Sequence, residues 1–377
     1  MKFKWVIALT ILIMGLIYKT ITPPEFLYLL NIKIQQLIQQ KSQILPVSAT
    51  TLANLSSTIL PEISTIDTKV HINDWHTKNA PLIQHYHPLN QVLVSDSQSL
   101  SDALSKLKPN TMLSLNGGVY QIKRNKIKID ANSSLSQPIV ITAVNNKRVI
   151  IEFFGNEGLW INAPYVQISG IQFEGKCELD SQCEHAIHIV GKSDHLIISN
   201  NIFNNFNAHI KSNGIKTPNG VRFPNHVTLS HNQFINHWPR KTASPVTPID
   251  IVGGEHWQID GNLIADFAKL EGNGISYGAF LKGGGQNGQF SNNLVICEMH
   301  IKHKTKLDVR IGLSFGGGGT AHKNCVNEKC TFEHKNGTLI NNKIVNCPNS
   351  AGIYLNNSIN INMYNNQLIS TLGVDTN

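Results

Sequence analysis

The sequence predicts an all-β solenoid, a chain wound into stacked coils of short parallel strands, and three observations carry that expectation. Of 377 residues, 41% are hydrophobic and only 15% charged, against about 25% charge in an ordinary globular chain. The 28 Gly, 15 Pro and 42 Asn supply many backbone turns and argue against long helices. The strongest observation is a nine-residue motif that recurs through the second half of the chain.

The segments HLIISNNIF (195–203), HVTLSHNQF (226–234), HWQIDGNLI (256–264), NGQFSNNLV (287–295), NGTLINNKI (336–344) and NINMYNNQL (360–368) align on Asn201, Asn232, Asn262, Asn293, Asn342 and Asn366. The spacings are 31, 30, 31, 49 and 24 residues, and YVQISGIQF (165–173) extends the series with Ile171 in the Asn position. Each unit also carries an earlier short strand: GLWIN, AIHIV, GIKTP, PIDIV, GAFLK, IGLSF and AGIYL. One coil cannot bury its own apolar face. Stacked coils pair their backbones about 4.8 Å apart and build a continuous Ile/Val/Leu core. The repeated asparagines are then expected to bond to one another up one corner as a ladder. The long interval marks a coil with two outgrowths, 298–310 and 320–335.

The N-terminus reads differently. Lys2 and Lys4 precede an apolar run of 14 residues, Trp5 to Tyr18, shorter than the ~20 that span a bilayer and suited to the core of a signal peptide. No A-x-A site follows, so an uncleaved signal anchor stays open. We divide the chain into a signal peptide or anchor (1–21), a helical and then Ser/Thr-rich stalk (22–90) and the solenoid (91–377). In the segment SDSQSLSDALSKLKP, Leu100, Ala103, Leu104 and Leu107 fall at helical spacing before Pro109. This predicts a helix capping the open end of the stack.

The net charge of +8 favours an acidic partner: nucleic acid, an anionic lipid surface or an acidic polysaccharide. There is no zinc finger, RNP pattern, basic heptad region or Walker loop, which demotes nucleic acid. Membrane contact is expected only through the N-terminal segment. The six cysteines suit an oxidising compartment: Cys177 with Cys183 and Cys325 with Cys330 bracket short polar loops, and Cys297 and Cys347 remain as a third pair.

The cap helix, the strand ending in Gly117, Gly118 and Tyr120, and the Asn-cornered coils together resemble the right-handed parallel β-helix of the pectin-lyase-like superfamily over residues 91–377. The blocks PIDIVGG, YGAFLKGGG, GLSFGGGGT and NCPNSAGIYLN resemble exported bacterial β-helix proteins. More distantly, the chain is similar to polysaccharide lyases of the alginate-lyase and chondroitinase type.

Equivalent outward positions on successive coils stand above one another. Aligning the first strands gives one column: Trp160, His188, Lys216, Asp250, Lys282, Ser314 and Tyr354. An extended acidic sugar chain fits along such a face, with Trp160 and Tyr354 as stacking surfaces and lysines pairing with carboxylates or sulfates. The same column also reads as a solvated ion ladder.

The lyase resemblance implies β-elimination, with Lys282 as the acceptor of the C5 proton, Asp250 orienting it, and Arg310 or Lys216 holding the carboxylate. The Arg that such enzymes carry on the next coil would fall near Ser314 or Phe315, which do not match it. A lysine base also needs a lowered pKa, whereas a neighbouring Asp250 carboxylate raises it. Non-catalytic binding of a surface polysaccharide is the alternative function. Glycoside hydrolysis, with Asp250 paired to Glu271 or Glu298, is a third.

No cofactor is required, although Glu298 at a coil corner is compatible with Ca2+. His300, Lys302, His303, Lys304 and Lys306 form a second candidate clamp for an anionic polymer. His322, Glu333 and His334 form a candidate cation cluster. The run Gly316 to Gly319 reads as a tight corner.

Overall fold

The computed structural model describes residues 89–302 and 307–377. The expected signal segment and stalk, and His303, Lys304 and Lys306, lie outside the described residues, apart from the last two stalk positions. The chain winds as a right-handed parallel β-helix. Sheet A has ten strands, from Asn90–Val94 to Asn362–Tyr364; sheet B has nine, from Gly118–Ile122 to Gln367–Thr371; sheet C has nine, from Ile127–Ile129 to Val374–Thr376. Each full coil contributes one strand to each sheet in the order A, B, C, and strands in register on neighbouring coils pair in parallel.

The asparagine ladder forms at the corner between sheets A and B, as the repeat predicts. Asn201, Asn232, Asn262, Asn293 and Asn342 each donate Nδ2 to the Oδ1 of the next ladder residue, at 3.1, 3.1, 3.1, 2.9 and 2.8 Å, ending on Asn366. The same Oδ1 atoms accept the backbone N–H of the preceding ladder residue. A second bond from each Nδ2 reaches a sheet A carbonyl, such as Leu229 from Asn262 at 2.9 Å. One short side chain thus satisfies the backbone of a buried corner that has no other partners. The residue before each ladder asparagine, Asn200, His231, Gly261, Asn292, Asn341 and Asn365, is left-handed with φ between 51° and 63°, a state that Asn and Gly tolerate best.

A second ladder, at the corner between sheets C and A, went unread although its members open the aligned motifs. Tyr165, His195, His226 and His256 stack with ring centroids 4.8, 4.8 and 4.7 Å apart. Asn287, Asn336 and Asn360 continue the column.

Between the sheets, inward residues stack by type. Phe173, Phe203 and Phe234 lie face to face at 4.9 and 5.0 Å, and Ile187, Ile210, Ile249 and Ala279 are fully buried in line. Each buried aromatic or Ile contributes about 1.5–3 kcal/mol. Helix α1 (Ser97–Ser105) covers the first coil. Asp96 caps it by accepting from Ser99 N–H at 2.9 Å, and Leu100 and Leu104 are buried beneath it. All three expected disulfides are present: Cys177–Cys183, Cys297–Cys347 and Cys325–Cys330.

Two strand alignments need correction. GIKTP is not a strand of the solenoid wall: Ile215–Thr217 pairs antiparallel with Gly220–Arg222 as an outward hairpin. The wall strand of that coil is Ala208–Asn213, whose Ile210 pairs with Ile187 and Ile249. The turn Pro218-Asn219-Gly220 carries a hairpin signal. In the next-but-one coil, Phe280 and not Lys282 stands opposite Asp250, while Lys282 pairs with Val252.

Replacing Asn262 by Leu is expected to cost about 3 kcal/mol or more in denaturant unfolding, because it strands donors and acceptors of Asn232, Leu229 and Asn293 in a dry corner. Burial also governs His209, which lies among Phe203, Phe206 and Phe234 and is pushed down to about 3. Its folded value is below the ordinary 6.5, so its stabilising share is complete above that pH and is lost as pH falls toward 3. Melting temperatures measured from pH 7 to pH 4 are expected to fall less for His209→Phe than for the unsubstituted protein.

Candidate functional site

Sheet C carries the outward face on which chemistry-bearing side chains collect. Its observed central column is Lys128, Trp160, His188, Lys211, Asp250, Phe280, Ser314, Tyr354 and Asp375. Trp160, His188, Asp250, Ser314 and Tyr354 stand where the sequence alignment put them. Lys211 takes the place expected for Lys216, which is exposed on the hairpin. Lys282 belongs to a parallel column, one outward step along its strand.

The upper part of the face is a continuous polar chain. Glu157 accepts from Lys126 at 3.1 Å and is 3.1 Å from His188 Nδ1, whose Nε2 is 2.7 Å from Asn213 Oδ1. Burial alone would raise the Glu157 pKa, but the hydrogen bonds and charges of His188 and Lys126 outweigh it and bring it to about 2. On the following coils Lys211 Nζ is 2.8 Å from Asp250 Oδ1, with both side chains largely shielded from solvent.

Below this pair lies the ring of Phe280, with Lys282 Nζ 4.5 Å from its centroid and the Tyr277 ring packed edge-on at 5.4 Å. Lys282 donates to Gly319 O at 2.9 Å. Burial lowers its pKa; Asp250 and Glu333 pull it up and Lys211 pushes it down, and the net direction is downward. The expectation that Asp250 would hold this lysine charged therefore gives way to desolvation. Tyr277 is pushed up to about 12 by burial and then by Tyr354.

The glycine run passes directly over this group. A Cβ on Gly317, already left-handed at φ 51°, would approach Phe280 to 3.1 Å and Lys282 to 3.3 Å. The run is thus a corner that also forms the wall of the site. Its descent buries Ser314, whose hydroxyl accepts from Gly317 N–H at 3.0 Å. Ser314 is a wall support and not a substrate contact.

Tyr277 was missed because the strand breaks its alternation. Gly278 faces inward beside Ala279, where a Cβ would meet Val295 at 3.2 Å and Phe267 at 3.3 Å. Two consecutive inward positions turn Tyr277 to the same face as Phe280. Lys211 was legible, since HAIHIV (185–190) and AHIKSN (208–213) share an Ile at their third position, which puts Lys211 level with His188.

Arg310 does not reach this face. It is buried, forks onto Asp308 at 2.8 and 2.6 Å, and donates to the carbonyls of Cys297 and Ile301. Its charge is used on Asp308 and on the carbonyls of Cys297 and Ile301, so it cannot hold a substrate carboxylate. The cation cluster also dissolves: Glu333 accepts from Gly283 N, Thr320 N and Thr320 Oγ1. His322 meets Lys329 O, and His334 stacks on Phe315 at 4.3 Å.

Glu298, the candidate Ca2+ ligand, is buried. Among the described residues no group of three His, Cys, Asp or Glu side chains is placed to hold a metal ion. For hydrolysis, Asp250 is engaged by Lys211 while Glu271 is exposed.

The order of sheets, the laddered corner and the helical cap define a right-handed parallel β-helix. Residues 94–258 match the family model of chondroitinase B. Among solved structures, an alginate lyase from Paenibacillus sp. str. FPU-7 shares 11% identity, covering 75% of this chain and 99% of its own, with a TM-score of 0.49. The pectate lyase Pel9A shares 13% over 74% and 78%, with a TM-score of 0.41. The Streptococcus pneumoniae surface protein and adhesin PfbA shares 11% over 81% and 99%, with a TM-score of 0.43. No curated protein matches the sequence.

Removing the charge of Asp250 takes away one upward pull on Lys282. With Asp250→Asn, a residue-resolved amine acylation assay at pH 8 is expected to label Lys282 faster than in the unsubstituted protein. Unchanged labelling would place Asp250 outside its electrostatic reach.

Proposed function

We propose that this chain is an exported protein that acts on an anionic, uronate-containing polysaccharide and cleaves it by β-elimination on the face of sheet C. The observation that carries the reading is the half-buried Lys282, held over the Phe280 ring with Nζ 4.5 Å from its centroid, where desolvation outweighs the carboxylates near it and lowers its proton affinity. Such an amine is a base suited to the C5 proton of a uronate. The chondroitinase B match over residues 94–258 supports the substrate class. The three disulfides and the N-terminal apolar run support export.

In this reading the polymer lies along the coil axis. Lys211, rather than Arg310 or Lys216, holds the uronate carboxylate and offsets the charge that develops on it as the C5 proton leaves. Asp250 keeps Lys211 in place at 2.8 Å and orients Lys282. A neutral Lys282 still donates to Gly319 O while its lone pair accepts the proton. Trp160, with Lys128 over one ring face at 5.6 Å, and Tyr354 on the lower coils offer flanking contacts for sugar rings. His188 lines the same path.

The second reading, non-catalytic binding of a surface polysaccharide, is favoured by the commitment of Arg310 to Asp308. One assay separates the two. The full chain is incubated with a panel of uronate polymers, and unsaturated ends are followed by ultraviolet absorbance. Lys282→Ala is expected to lower kcat/KM by about 100- to 10,000-fold, and Lys282→Arg to be equally poor because guanidinium does not deprotonate. Polymer retained without any product would support binding alone, and reducing ends without unsaturation would support hydrolysis.

A further inference from the structure

We infer that the Tyr277 hydroxyl is the proton donor to the departing glycosidic oxygen, filling the role that the missing next-coil arginine leaves open. The inference rests on the elimination reading and deepens it.

Four observations converge on this phenol. The inward turn of Gly278 places Tyr277 on the outer face. Its ring packs edge-on to Phe280 at 5.4 Å, and the Lys282 ammonium nitrogen is 4.5 Å from the centroid of that same ring. The two polar groups therefore share one apolar support. The glycine run continues over both: Lys282 Nζ bonds to Gly319 O at 2.9 Å, and a Cβ on Gly318 would stand 3.6 Å from the Tyr277 hydroxyl. Finally, the hydroxyl makes no hydrogen bond among the described residues.

Burial and the neighbouring Tyr354 keep the phenol protonated up to about 12, while burial lowers the proton affinity of Lys282. One group holds its proton and the other gives its proton up, which is the division of labour that an acid and a base need at one pH. Ser314 cannot serve as the donor, because it is buried and bonded to Gly317.

The step balances with these groups alone. The Lys282 lone pair takes the C5 proton, and the C5–H electrons become the C4=C5 double bond. The C4–O4 bond breaks with its electron pair on O4, and O4 takes the Tyr277 proton. Ammonium and phenolate remain, and a proton passing from Lys282 to Tyr277 through solvent restores both.

The test compares the full-length protein with Tyr277→Phe and Lys282→Ala on a uronate polymer and on a short uronide whose 4-O leaving group is p-nitrophenolate, which departs without a proton. Tyr277→Phe keeps the ring against Phe280, and its melting temperature confirms folding. Expected is a fall in kcat on polymer of about 100-fold or more, little change in KM, and a rate on the nitrophenyl substrate within about threefold of the unsubstituted enzyme. Lys282→Ala is expected to fail on both substrates. Full polymer activity in Tyr277→Phe, or an equal loss on both substrates, would overturn the donor assignment while leaving elimination standing. An unsubstituted protein that forms no unsaturated product from any polymer would overturn the elimination reading and this assignment together.

Discussion

Everything described on the outer face depends on register, and register depends on the amide ladder. The ladder asparagines from Asn201 to Asn342 are buried, and each oxygen from Asn232 onward binds both the backbone and the side chain of the coil before it, as Asn262 does for Asn232. A coil slipped by one residue would leave those donors unpaired in a dry corner, at a cost comparable to much of a domain's net stability. The ladder therefore locks coil upon coil. With the corner locked, sheet C places one residue of each coil directly above the last, and Lys211, Asp250 and Phe280 come together from segments about 30 to 40 residues apart. The hairpin and the disulfide-closed loop are outgrowths from such corners, where added residues do not disturb the stack.

Two lysines on that face show how burial and pairing divide their chemistry. Lys211 is paired directly with Asp250 at 2.8 Å, which keeps it in a fixed position. Lys282 lies under the glycine run against an aromatic ring, where desolvation exceeds the attraction of more distant carboxylates. Arg310 illustrates the opposite outcome: a buried guanidinium needs internal partners, and Asp308 with two carbonyls takes four of its five N–H donors. The same residue type that would suit a carboxylate-binding site is here an internal brace.

The repeat made the winding, the ladder, the cap helix and the three disulfides legible, because each follows from local pattern or short spacing. It also made Trp160, His188, Asp250 and Tyr354 legible as a column. It failed at Lys216, where a hairpin was taken for a wall strand, and at Lys282, where a two-residue offset is invisible to apolar alternation of period two. Tyr277 was hidden by a local break in that alternation. The stacked Tyr165, His195, His226 and His256 were present in the aligned motifs, but nothing in their spacing distinguishes a ring stack from ordinary exposed turn residues.

The sequence by itself determined the coil: period, inward apolar positions and corner asparagines are properties of short segments, and their repetition leaves few ways to bury the apolar face. What only the tertiary structure decided is which polar side chains meet. That depends on how far each corner loop extends, on where a strand bends, and on whether a charge finds an internal partner. Desolvation depends on atoms contributed by other coils, so the proton affinity of Lys282 and the burial of Arg310 exist only once the coils are stacked.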